Sequence, residues 1–83
     1  MAQQFNAQNI KKRTSVLVFL KGATAPLVLY SENSDELYNE LLQAMKSQTT
    51  VKLIEKEMNG PIKKTAFLSN QIAAVAMQEE QYA

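Results

Sequence analysis

The sequence contains no cysteine, no histidine and no tryptophan, and it has only two glycines and two prolines in 83 residues. Without cysteine there is no disulfide framework, and without cysteine or histidine the usual ligands of a structural zinc site are missing. The same two gaps exclude thiol catalysis and the Ser-His-Asp triad, and they remove the commonest general base at neutral pH. We therefore expect a protein with no cofactor, no metal and no enzymatic activity.

Phosphate-binding glycine motifs are also missing, because Gly22 and Gly60 stand alone in segments typical of turns. The net charge is +1 and both signs are mixed along the chain, so the protein as a whole has no general attraction to nucleic acid or anionic membranes. No apolar run approaches the roughly 18–20 residues that a membrane span requires. We expect no membrane insertion. The polar stretch Met1–Ile10 lacks an export-signal pattern, which predicts a soluble, cytoplasmic protein.

The length of 83 residues fits one domain. We expect a flexible segment at residues 1–12, a single α+β domain at residues 13–79 and a short tail at residues 80–83. A chain of this size buries about 60–65% of the surface that its unfolded state exposes. Small domains of this kind often gain stability by pairing with a second copy.

Two short segments near the start of the chain predict a hairpin. Thr14–Lys21 is rich in β-branched residues and apolar on both faces, which is typical of a strand in the middle of a sheet. Pro26 fits the first position of a second strand, which runs to Tyr30. Because so few residues separate the two strands, we expect them to be antiparallel.

A helix is predicted to follow, with Asn33 or Ser34 as its cap and its end near Ser47. If Asn33 is the cap, Glu36 completes an approximate capping box. One stripe of this helix is apolar at three- and four-residue spacing, so it needs a surface to bury against. The stripe consists of Leu37, Tyr38, Leu41, Leu42 and Met45.

Three further strands are predicted at Val51–Met58, Ile62–Leu68 and Ile72–Gln78. The first two are joined by Asn59-Gly60-Pro61, where Asn-Gly tolerates the positive φ of a tight turn. The resulting ββαβββ order predicts an α+β fold, with the helix on one face of a mainly antiparallel sheet of four or five strands. Both a β-grasp-like sheet and a meander fit this order.

Three motifs lie in sequence between Val16 and Met77: Lys-Gly-x-x-x-Pro at Lys21–Pro26, Glu-Leu-Tyr-x-x-Leu-Leu-x-Ala-Met at Glu36–Met45, and Ile-Ala-Ala-Val at Ile72–Val75. Together they resemble a family of small uncharacterised proteins of cyanobacteria and some plastids. The resemblance implies a shared fold and no particular activity. Residues 1–12 depart from the pattern of that family.

The predicted sheet has one helix to cover it, yet its first and last strands are apolar on both faces. The second face therefore needs a cover, and a symmetric dimer is the commonest way to supply one. The leading hypothesis is a non-catalytic protein-interaction module that forms a homodimer and docks on another protein. Strong curling of the sheet, or the N-terminal segment folded over it, would be alternative covers. The candidate interaction surface consists of Leu17, Phe19, Ala73, Val75 and Met77.

Basic residues motivate a second hypothesis, a small nucleic-acid-binding module. Lys11, Lys12, Arg13 and Lys63 form a candidate basic patch that could contact phosphates. The same residues also fit a solvated flank and a charged strand edge that blocks aggregation.

Carboxylates motivate a third hypothesis, a carboxylate-dependent enzyme. A pair such as Glu32 and Glu55 could act as acid and base or hold Mg²⁺. Solvated structural roles explain most of these acids equally well, because Asp35 and Glu36 suit the positive end of a helix dipole.

Overall fold

The order of elements along the chain is two strands, one helix and three strands, as the sequence predicts. The computed structural model describes residues 11–47 and 49–82. The predicted α+β class, the ββαβββ order and the mainly antiparallel pairing are confirmed. The elements are β1 (Lys11–Leu20), β2 (Leu27–Tyr30), α1 (Ser34–Lys46), β3 (Leu53–Glu57), β4 (Lys64–Leu68), a 3₁₀ turn (Ser69–Gln71) and β5 (Ile72–Tyr82).

The strands of the described residues form two separate sheets rather than one sheet of four or five strands. The larger sheet has the order β2-β1-β5, and both of its pairings are antiparallel. The smaller sheet is the β3–β4 hairpin. The hairpin is closed at its base by a backbone hydrogen bond, in which the Ser69 amide donates to the Lys52 carbonyl at 2.8 Å. The middle strand of the larger sheet therefore has the second strand and the last strand as its neighbours.

β1 and β5 are longer than the apolar segments predict. β1 begins at Lys11 instead of Thr14, and β5 continues to Tyr82 instead of ending near Gln78. The extension follows from their pairing, which places Lys12 opposite Gln81 and Arg13 opposite Glu80. Residues 1–10 and 83, which include most of the predicted flexible segment, lie outside the described residues.

The helix α1 packs its apolar stripe on one face of the larger sheet. Leu37 and Leu41 are buried, and Leu41 is completely inaccessible to solvent. Asn33 occupies the N-cap position, but its side chain makes no capping hydrogen bond, so the predicted capping box does not form. The Ser34 hydroxyl instead donates to the carbonyl oxygen of Ser31 at 3.1 Å. No helix in residues 11–47 and 49–82 is long and apolar enough to cross a membrane.

The core lies between the helix, one face of the larger sheet and the inner face of the hairpin. From the sheet it takes the alternate residues of β1, and from the hairpin it takes a directly opposed pair in β3 and β4. Apolar burial of this kind stabilises by about 25 cal/mol per Å² removed from water. The fully or almost fully buried apolar residues are Val16, Val18, Leu29, Leu37, Leu41, Ile54, Phe67 and Ile72.

The two glycines have different structural roles. Gly22 has a φ of +79°, which is a left-handed conformation that other residues rarely adopt. Among the described residues Gly22 is the only one with positive φ, so the prediction of a positive φ in the Asn59-Gly60 turn is wrong. Gly60 is instead needed for close approach, because a Cβ there would overlap Cδ2 of the Tyr30 ring.

Candidate interaction surface

The face of the larger sheet turned away from α1 carries apolar side chains that are not part of the core. In an antiparallel sheet directly opposed residues point to the same face. Leu17 lies opposite Val28 and Ala76, and Phe19 lies opposite Ala74. None of these five residues belongs to the core cluster, and Phe19 is 37% exposed. We call Leu17, Phe19, Val28, Ala74 and Ala76 the open face.

A polar cluster borders the open face at one end. The Tyr30 hydroxyl donates a hydrogen bond to Oε2 of Glu80 at 2.8 Å. Arg13 is 3.3 Å from the same carboxylate oxygen through Nε, and its guanidinium lies 4.0 Å from the centre of the Tyr30 ring. The hydrogen bond to Glu80 is the largest cause of a raised Tyr30 pKa, followed by desolvation; the Glu80 charge also raises it, and the Arg13 charge lowers it.

Ser15 lies on the same face, next to the open-face residues. It is completely buried and directly opposite Tyr30 and Gln78. Its hydroxyl has no hydrogen-bond partner within the described part of the chain. An apolar centre with Tyr and Arg at its border is the composition that protein interfaces favour.

The five residues predicted as one interaction surface are divided between the two faces. Leu17 and Phe19 lie on the open face, as the hypothesis needs. Val75 and Met77 lie opposite Val18 and Val16, which point into the core, so they belong to the face that α1 covers. Ala73 has no direct partner, because the register shifts between Phe19 and Leu20. The prediction joined the two faces because the sequence does not show the register of β1 against β5.

The residues that complete the open face were missed for the same reason. Val28, Ala74 and Ala76 share this face only because of their pairing with β1. Alternation within β5 does separate Ala74 and Ala76 from Val75, but it does not show which set meets the helix. Burial resolves this choice, since Val75 packs against the core and Ala74 is exposed.

The predicted basic patch is partly balanced by acidic residues of β5. Nζ of Lys12 lies 3.9 Å from Glu79 and Nε of Arg13 lies 3.3 Å from Glu80. Lys11 pairs with Tyr82 at the start of β1, and Lys63 is exposed next to β4. Two of the four basic side chains that could contact phosphates are therefore already paired with carboxylates.

The acidic residues do not gather into a recognisable site. Glu32 is exposed between β2 and α1, and Glu55 is exposed on the outer face of the hairpin. Glu40 pairs with Lys56 at 2.8 Å across the gap between α1 and β3. Within residues 11–47 and 49–82, no group of three or more acidic side chains is arranged to hold a metal ion.

A second exposed apolar group lies on the outer face of the hairpin. Leu53 and Leu68 are directly opposed and are 61% and 45% exposed, and Val51 nearby is 52% exposed. This face also carries charge, since Glu55 and Glu57 follow Leu53 at two-residue spacing along β3 and therefore share its face. The open face has no charged residue among its five members, so it is the better candidate for an apolar interface.

Comparisons of the chain with known protein families, with curated proteins and with solved structures each found no match. The resemblance to a cyanobacterial and plastid family therefore stays a prediction from the sequence.

Proposed function

We propose that this protein is a non-catalytic protein-interaction module that self-associates through the open face and docks on another protein. The observation that carries the proposal is a sheet with a helix on one face and five uncharged apolar residues on the other. Large contiguous apolar patches are rare on the surface of monomeric proteins, so such a patch usually marks an interaction site. A cytoplasmic location is part of the same proposal.

We expect Phe19 to contribute more binding free energy to a partner than any other residue of the open face. It is the largest side chain of the open face and is more than one-third exposed. Leu17 and Val28 flank it in a half-buried state, and Ala74 opposite it leaves room for an inserted side chain. Aromatic residues in such settings account for a large share of binding energy in protein interfaces.

The test is the oligomeric state of the wild type and of Phe19→Lys, measured by sedimentation equilibrium over a range of protein concentrations. We expect a dimer for the wild type and a dissociation constant raised at least about tenfold for the variant, which corresponds to about 1.4 kcal/mol. Val51→Lys is the matched control, because it adds the same charge at an exposed apolar position off the sheet. It should leave the dimer unchanged.

Two outcomes contradict the proposal. A wild type that remains monomeric at about 1 mM would limit any self-association to less than about 4 kcal/mol. An equal effect of Phe19→Lys and Val51→Lys would show that added charge, and not loss of the open face, weakens the dimer. Binding to nucleic acid that falls steeply with added salt would instead favour the module built on Lys11, Lys12, Arg13 and Lys63.

A further inference from the structure

The outer edge of β5 offers a second contact, distinct from the open face. In the part of the chain that the structure describes, β5 lies at the end of the three-stranded sheet and has β1 as its single neighbour. Its far side therefore presents backbone N–H and C=O groups along a strand of 11 residues. Such an edge is a template for pairing with another strand.

The direction of the backbone groups follows from one hydrogen bond. The Lys21 amide donates to the Gln71 carbonyl at 2.8 Å, so this amide points from β1 toward the β5 side. Because consecutive peptide groups alternate in direction along a strand, Phe19 and Leu17 also direct their N–H and C=O groups toward β5. Their partners Ala74 and Ala76 are then hydrogen-bonded to β1. Val75 and Met77 must direct their backbone groups outward.

The other strands have features that discourage pairing at their edges. β2 has only four residues and follows closely after Pro26. β3 contains Glu55 and Glu57 among its five residues, and β4 begins with Lys64. Short length, proline and charge are the usual protections of exposed edges. The segment Ile72–Gln78 of β5 has no charge, no proline and no glycine.

We propose that two copies of this chain pair through the β5 edge, antiparallel, about a two-fold axis at Ala76. In this register Val75 of each copy hydrogen-bonds with Met77 of the other, which joins the residues whose backbone groups point outward. Met77 is 42% exposed in the single chain, and the second copy would supply Val75 as its apolar neighbour.

Charge favours the same register. Glu79 of one copy lies opposite Ala73 of the other, and Glu80 lies opposite Ile72, so no two carboxylates oppose each other. Both glutamates are also already next to a cation of β1, Lys12 or Arg13. At the axis the two Ala76 side chains are small enough for the close approach of a non-hydrogen-bonded pair.

The pairing goes beyond the proposed function, because it uses the edge of the sheet and leaves the open face free. It would join two three-stranded sheets into one of six strands, with both helices on one side. The open faces of the two copies would then lie on the other side as a continuous apolar surface.

The test exploits the lack of native cysteine. In the proposed register the two A76C thiols face each other, with Cα atoms about 4.5 Å apart, which is within the range that disulfides bridge. A74C is the matched control on the same face of the same strand. In the proposed register the two A74C thiols would be four residues apart along the strands, about 13 Å, which is too far for a disulfide. After mild oxidation we expect a covalent dimer for A76C and a monomer for A74C on a non-reducing gel.

Three second-site variants separate the edge from the open face. Met77→Pro removes an outward amide and leaves the β1 pairing intact, so A76C/M77P should lose the cross-link while keeping its circular dichroism spectrum. Phe19→Lys should leave the A76C cross-link in place. Met77→Lys adds a charge to the edge with no change to the backbone, and it should also reduce the cross-link.

The edge proposal is overturned if A76C stays monomeric or if A74C cross-links equally well. It is also overturned if Phe19→Lys abolishes the A76C cross-link while Met77→Lys does not, because the thiols would then meet across the open face. That last result would leave the proposed function standing. A persistent A76C cross-link in a Phe19→Lys protein that has lost its open-face contact would support the edge contact alone.

Discussion

Replacing Gly60 by alanine should destabilise the protein through a clash that is absent at Gly22. The added Cβ at position 60 would overlap Cδ2 of Tyr30 and would lie 3.1 Å from its Cγ. The ring cannot move away freely, because its hydroxyl is bonded to Glu80 and the Arg13 guanidinium lies over its face. Overpacking of this kind costs about 1–3 kcal/mol. For a domain of this size each kcal/mol lowers the melting temperature by roughly 4–8 °C.

The control substitutions are at Gly22, where an added Cβ would meet no atom within 4 Å. Gly22→Ala should cost about 1 kcal/mol, because its φ of +79° disfavours a side chain. Gly22→Asn should cost less, because asparagine tolerates such a φ better. Gly60→Asn should be at least as harmful as Gly60→Ala. Urea unfolding followed by circular dichroism measures all four variants.

A double-mutant cycle isolates the cause. Once Tyr30→Ala has removed the ring, the added Cβ would meet only Cβ of residue 30, at 3.2 Å. Gly60→Ala should then cost much less, so the two substitutions should couple by about 1–2 kcal/mol. The reasoning is refuted if Gly60→Ala has the same cost with and without the Tyr30 ring. It is also refuted if Gly60→Asn is better tolerated than Gly60→Ala, as a backbone requirement for positive φ would predict.

Tyr30 should ionise at higher pH than an ordinary tyrosine, because its hydroxyl donates to Glu80 and this raises its pKa above 10.0. Above about pH 10 the unfolded chain loses this proton while the folded chain keeps it, so the free energy of unfolding should fall as pH rises through this range. Glu80→Gln should bring the pKa of Tyr30 back toward its usual value. Ultraviolet titration of the wild type and Tyr30→Phe measures this, and a Tyr30 that titrates at its ordinary pKa would contradict it. Two of the three buried serines, Ser15 and Ser69, should respond in opposite ways to alanine. Ser15→Ala removes a hydroxyl that has no partner among the residues that the structure describes, and it should be neutral or stabilising. Ser69→Ala removes the oxygen that accepts from the Lys52 amide at 2.9 Å and should cost about 1–2 kcal/mol. Urea denaturation compares them, and a larger loss for Ser15→Ala would show that its hydroxyl is bonded.

Local patterns predicted the elements of this fold well. The periodicity of Leu37 and Leu41 places α1 within one residue of its observed end. Turn residues at Gly22 and Asn59-Gly60-Pro61 separate the strands correctly. Strand ends were less accurate, because Lys12 and Arg13 extend β1 only through their pairing with Gln81 and Glu80 of the distant β5. Such a partner does not appear in any local window of sequence.

The sequence indicated an apolar face of the sheet as the candidate site, but it did not show which residues form that face. Apolar residues on both faces of the first strand indicated that one face would need a second cover, and the structure places Leu17 and Phe19 on the face that does not contribute to the core. The companions of these residues depend on the β1–β5 register, and a shift of one residue would exchange Ala74 and Ala76 for Val75 and Met77. The close packing of Tyr30 against Gly60 was equally hidden, since it joins β2 to a turn 30 positions later.

The position of β1 between β2 and β5 has a consequence for how the chain reaches this structure. The β1–β2 and β3–β4 hairpins close short loops and can form early, whereas Lys11 meets Tyr82 only after nearly the whole described chain is available. Long-range pairing of this kind slows folding, because loop entropy is lost before the contacts form. During synthesis the inner strand of the larger sheet must therefore wait, with one side uncovered, until the last strand has emerged.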